Sequence, residues 1–82
     1  MHRFTLRQLE YLLACIEQGT VAAAAASLNV SQPTISVAIN KLEEQLGVQL
    51  LIRHHSQGVT PTPSAQRILS EAQSLLLSLI HI

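Results

Sequence analysis

AASLNVSQPTISVAINKLEEQL, residues 25–46, is the stretch whose reading decides the fold. A short Ala-rich helix runs into a turn at Asn29-Val30, and Ser31-Gln32-Pro33 opens a second helix. Along that second helix Ile35, Ile39, Leu42 and Leu46 recur at intervals of four and three residues. They form one apolar stripe that must pack on the rest of the domain. Gln32, Thr34, Ser36, Asn40 and Lys41 fall off the stripe. Most are short or amide side chains, which pair with base edges or phosphates without a large desolvation penalty. Two helices joined by a tight turn, the second with one apolar and one polar face, make the pattern of a helix-turn-helix DNA reader.

Working outward toward the N-terminus, Thr5 followed three residues later by Gln8 is a capping-box arrangement. Leu6, Leu9, Leu12, Leu13 and Ile16 then repeat with helical period, which predicts a first helix over Leu6 to Gln18. Gly19 supplies a left-handed stop, and the Thr20 hydroxyl is placed to cap a second helix from Val21 to about Leu28. Its alanine run, Ala22 to Ala26, combines strong helix propensity with little bulk, so neighbouring helices approach closely. Asn29 tolerates the positive φ that the turn needs, and Ser31 is a good cap for the third helix. Pro33 belongs to the first turn of that helix, where its missing N–H costs nothing, and the helix stops at Gly47.

Toward the C-terminus, residues 48–61 read VQLLIRHHSQGVTP, with β-branched or aliphatic flanks around a polar centre that contains glycine. That is the pattern of a short hairpin, a wing beside the helices. Strands this short are marginal alone, so the wing must lean on the helical core. Thr62-Pro63 is a cap followed by proline at the first helical position, and Ser64 to Ile82 continues as one helical pattern. Ile68, Ala72, Leu75, Leu79 and Ile82 alternate spacings of four and three, the spacing of a coiled-coil seam. A second row at Leu69, Leu76 and Ile80 widens the apolar face beyond what a solvent-exposed helix tolerates. A second chain is expected to cover it. The expected organisation is a winged helix-turn-helix unit at residues 1–62 and a dimerisation helix at 63–82.

With 82 residues, 48% of them hydrophobic, the chain has room for one small core. Phe4 and Tyr11 are its aromatics, while Leu, Ala and Ile are plentiful, a mix that favours aliphatic helix packing. The expected class is therefore mainly all-α, with the hairpin and a long C-terminal helix as additions. Cys15 falls between Ala14 and Ile16 in an apolar helical pattern and reads as a buried thiol. The start, MHRFTLRQ, lacks the long apolar core of a signal peptide, and the run from Leu75 to Ile80 is far short of a membrane span. A cytoplasmic, membrane-free protein is expected.

Charge pulls against the motif. Five Lys and Arg balance five Glu, whereas a duplex binder usually carries excess cations to displace condensed counterions. Folding can gather Arg3, Arg7, Lys41 and Arg53 on one side, and histidines near phosphate gain protons more readily, so weaker and more pH-dependent binding is expected. Adjacent His54 and His55 lack the spaced third and fourth ligands that a zinc site needs. The chain has no aspartate and no Gly-rich phosphate loop, so neither metal, cofactor nor catalysis is expected.

Residues 6–53, LRQLEYLLACIEQGTVAAAAASLNVSQPTISVAINKLEEQLGVQLLIR, closely resemble the amino-terminal DNA-binding domain of LysR-type transcriptional regulators. The marks are Leu6-Arg7-Gln8-Leu9 and Ala24-Ala25 with Leu28, then Ser31-Gln32-Pro33, Leu42-Glu43, Leu46-Gly47, and Leu50 with Arg53. The resemblance implies a winged helix-turn-helix joined to a linker helix and dimers formed by antiparallel packing of two linker helices. It further implies that the third helix enters the major groove while the wing reaches toward the adjacent minor groove of double-stranded DNA. Family members continue into an effector domain of two α/β lobes and usually act as tetramers; that domain is expected to lie outside this sequence.

Carried across by position, Gln32, Pro33, Thr34 and Ser36 match family positions that meet bases and phosphates. Gln32 is the best candidate for base readout, because an amide pairs bidentately with adenine. Thr20 and Ser31 offer hydroxyls and helix-start N–H groups to phosphate. Asn40 and Lys41 follow along the polar face, Arg53 matches a cationic position of the wing, and His54 and His55 bring the wing near phosphate. Ile68, Leu69, Ala72, Leu75, Leu76 and Leu79 are the candidate dimerisation residues. Three departures stand out. Val37 occupies a position where many members carry arginine, Ala22 and Ala23 replace polar or basic residues, and Ser64-Ala65 stands where Ala-Gly is common. The competing expectation is a helical interaction module whose DNA contact is weak or secondary.

Overall fold

The computed structural model describes residues 5–54 and 58–80, with the side chains of residues 75–80 outside the description. The order is α1 (Leu6–Gln18), α2 (Val21–Leu28), α3 (Gln32–Leu46), β1 (Leu51–His54), β2 (Gly58–Pro61) and α4 (Pro63–Ile80). Each helix starts where a side-chain oxygen is available to satisfy an orphan N–H. Thr5 and Gln8 form the full capping box on α1, Thr20 accepts from Ala23 N–H at 2.9 Å, and Ser31 accepts from Thr34 N–H at 3.2 Å. At the other ends the chain leaves α1 at Gly19 and α2 at Asn29 in the left-handed region, Asn29 at φ 59°. The helices and the winged hairpin thus match the sequence expectation, with α4 described to Ile80 and Ile82 outside the described residues.

The expected stripe of α3 is the centre of the core. Ile35, Ile39 and Leu42 are fully buried and Leu46 half-buried. They meet Tyr11, Leu12, Ala14 and Cys15 of α1, Ala24 and Ala25 of α2, Leu50, Leu51 and Val59 of the wing, and Ala65 of α4. A fully buried aliphatic side chain contributes about 1.5–3 kcal/mol relative to an exposed one, so this small cluster holds the domain together. Burial pushes the Cys15 thiol up from its ordinary pKa, against a smaller opposing pull from the Arg53 charge. The thiol is therefore held neutral and inert.

Polar contacts fix how the wing sits on this core. Glu43 reaches out of α3 to accept from the backbone N–H groups of Leu50 and Leu51, at 2.7 and 3.2 Å. Such bonds to an ionised acceptor contribute about 1.5–3 kcal/mol each, and here they set where β1 begins. β1 and β2 pair antiparallel, Leu51 with Pro61, Ile52 with Thr60, Arg53 with Val59 and His54 with Gly58. Thr62 closes the far end: its hydroxyl donates to Gln49 C=O at 2.7 Å, its N–H donates to Leu50 C=O, and its Oγ1 accepts from Ala65 N–H to cap α4. The Ser64-Ala65 departure is accommodated, since Ala65 is fully buried under this cap.

β2 is also bolted to the α1–α2 turn. Val59 N–H donates to Gly19 C=O at 2.8 Å. That bond brings the backbones so close that a side chain at Gly58 would collide with Gly19 O, and Gly58 itself has φ +96°. At the opposite end of α1, Gln8 is buried and its amide reaches Gln45 of α3 at 3.3 Å. From the core α4 projects outward, Ile68 and Leu69 half-buried against it. The molecule extends 42 × 26 × 19 Å.

Candidate nucleic-acid interface

The face of α3 turned away from the core is built by arithmetic. With 3.6 residues per turn, the positions about half a turn from Ile35, Ile39 and Leu42 are Pro33, Val37, Asn40, Lys41 and Glu44. All five are exposed. Gln32 and Thr34 at the start of the helix are exposed as well, while Ser36 lies on the flank and is half-buried.

At the head of α3 the capping geometry decides which donors remain. Thr34 N–H is taken by Ser31 Oγ, Ile35 N–H by Ser31 C=O at 3.4 Å, and Pro33 has none. The Gln32 amide is left as the backbone donor at the positive end of the helix dipole, beside the Ser31 and Thr34 hydroxyls, which share a 2.7 Å hydrogen bond. Ser31 is thus both cap and part of a polar cluster. Thr20 is half-buried and occupied in capping α2, and its Cγ2 lies against Gly58 of the wing, so the start of α2 and the wing are neighbours.

Among the described residues one side-chain pair joins the wing to the exposed side of α3. Arg53 Nη2 donates to Asn40 Oδ1 at 3.3 Å, both residues being exposed. This brings a cation of β1 onto the exposed side of α3 at Asn40. His54 Nε2 pairs with Thr60 Oγ1 across the hairpin at 2.9 Å, which holds the ring against the wing. His55 lies outside the described residues. Among the described residues the structure joins Asn40 to Arg53 and Ser31 to Thr34; Gln32, Pro33 and Lys41 are exposed at other positions around α3, and Ser36 and Thr20 are half-buried. Sequence reasoning did not find the Asn40–Arg53 link, which depends on hairpin register, or the anchoring role of Glu43. For Glu43 the one signal was a carboxylate separated by a glycine turn from the segment that enters β1, which is unspecific.

The dimerisation candidates divide. Ile68 and Leu69 pack partly on the domain's own core and Ala72 is half-buried, while Leu75, Leu76 and Leu79 have side chains outside the described set. Among the described residues no helix is long and apolar enough to cross a membrane.

Comparison with known proteins places this geometry in context. The model for the lysR family of bacterial regulatory helix-turn-helix proteins matches residues 6–66. The HTH-type transcriptional regulator XapR of Escherichia coli K12 is 42% identical over 78 residues, 95% of this chain and 26% of that protein. The chain thus spans about a quarter of that curated relative's length. Among solved structures, the complex of the CbnR DNA-binding domain with DNA superposes with a TM-score of 0.83 at 40% identity, covering 95% of this chain and 88% of that one. The complex of the BenM DNA-binding domain with benA site 1 DNA gives 0.81 at 37% identity, covering 95% and 90%.

Proposed function

The chain belongs to the lysR family of bacterial regulatory helix-turn-helix proteins and carries that family's DNA-binding domain, and from this we propose that it is the sequence-reading part of a transcriptional regulator. Residues 1–62 read double-stranded DNA and residues 63–82 pair with the same helix of a second copy. The observation that carries the reading is the Arg53–Asn40 contact, which ties the wing to the exposed face of α3. Gln32 reads a base edge in the major groove. Ser31, Thr34 and the free Gln32 amide engage phosphate, Pro33 and Ser36 shape the approach, and Lys41, Arg53, His54, His55 and the α2 start at Thr20 contribute backbone contacts. Half-sites then lie about one helical turn, or a multiple of it, apart in an interrupted inverted repeat.

On the linker helix, Ile68 and Leu69 split their surface between the core and the partner, and Ala72, Leu75, Leu76 and Leu79 continue the seam. The assembled regulator acts in the cytoplasm at a promoter, without metal or cofactor in this part. The salt dependence of duplex binding tests this reading. With Lys41 and Arg53 of two protomers on phosphates, about four counterions are released, so affinity falls roughly 150-fold between 50 and 200 mM salt. A flat salt response with little binding at low salt would instead mark α4 as the functional element, a helical interaction module.

A further inference from the structure

Val37 is the residue at the middle of the outer face of α3 and the one large apolar side chain there. It is 64% exposed, with Pro33 one turn before it and Asn40, Lys41 and Glu44 one and two turns after it, all exposed. A solitary exposed valine is ordinary on a protein surface, and Val48 and Ile52 are examples here. Val37 differs from them in position, since it stands opposite the buried Ile35 and Ile39, on the side that a recognition helix turns toward the floor of the groove. Its β-branched side chain is nearly confined to one rotamer in a helix, so its methyl groups point in a fixed direction.

We infer that Val37 is a specificity determinant that selects thymine by contact with its C5-methyl group. This rests on the DNA-reading function proposed above. The major-groove edges of guanine, adenine and cytosine present acceptors and donors, and a valine pressed on them removes their water without replacing its hydrogen bonds. Thymine presents the one apolar group in that groove. The same side chain therefore attracts one base and rejects the others, a selection that an arginine at this position would turn toward guanine.

The test uses the duplex recovered by selection from a random pool, with each thymine of one half-site replaced singly by deoxyuridine, which removes the methyl and keeps every hydrogen-bonding group. One such replacement is expected to weaken the wild-type protein about four-fold, the ratio for burying one methyl-sized group. Val37→Ala is expected to bind the thymine duplex that much more weakly and to be indifferent to the replacement, with its salt dependence unchanged. Because Val37 is exposed, the variant folds as the wild type does, which circular dichroism checks. Specific, salt-dependent binding that is insensitive to every deoxyuridine, or equally sensitive in Val37→Ala, overturns the assignment while leaving the DNA-reading function standing. Failure to recover any duplex removes that function and this inference together.

Discussion

Gly58→Ala is expected to lower the thermal midpoint by about 15 °C. Two costs add. A non-glycine residue at φ +96° stores on the order of 1–3 kcal/mol of backbone strain. The added Cβ also collides with Gly19 O and comes within 3.0 Å of Thr20 Cγ2, so the Val59 N–H bond to Gly19 C=O must stretch or break. Together these cost about 3 kcal/mol, a large part of the roughly 4–12 kcal/mol that a domain of this size has, and each kcal/mol moves the midpoint by about 4–8 °C. A melt followed by circular dichroism checks it, and a midpoint within a few degrees of wild type would show that the wing is not held through this contact. Loss of the contact also frees the wing from the α2 start, so DNA affinity is expected to fall even at temperatures where the helices persist.

Gln32→Ala is expected to separate sequence reading from simple attraction to DNA. A bidentate amide–adenine pair contributes about 1–3 kcal/mol of discrimination, so one half-site loses on the order of ten-fold and a dyad bound by two protomers about a hundred-fold. Random duplex, bound through phosphates, is expected to bind the variant as it binds the wild type. The side chain is exposed and outside the core, so fold stability stays within about 0.5 kcal/mol. Equal losses on the preferred and random duplexes, read from titrations at one salt concentration, would reassign Gln32 to the helix start alone.

The helices were legible because their boundaries are written in local chemistry. Thr5 with Gln8, Thr20, Ser31 and Thr62 each cap a helix as their spacing predicts, and Asn29 takes the left-handed conformation expected of it. The α3 stripe followed from period alone, and its burial confirms the face assignment. What the sequence did not disclose is long-range. Glu43 meets Leu50 and Leu51 only after the turn at Gly47, Gln8 meets Gln45 across two helices, and Gly58 is required by the backbone of Gly19, far earlier in the chain. No local pattern encodes these, because each depends on how finished elements dock. Val37 was legible in a different sense. Helical geometry alone puts it opposite the stripe, on the exposed side of α3. The side chains of Leu75, Leu76 and Leu79, and the whole of His55, lie outside the described residues.

The central claim, that a pair of these domains reads DNA sequence, is tested most directly by exposing the purified protein to a pool of random duplexes at low salt near neutral pH and sequencing what it retains. Enrichment of an interrupted dyad, with half-sites spaced by about one helical turn or a multiple, is the predicted result. Recovery of a pool as random as the one supplied would contradict it.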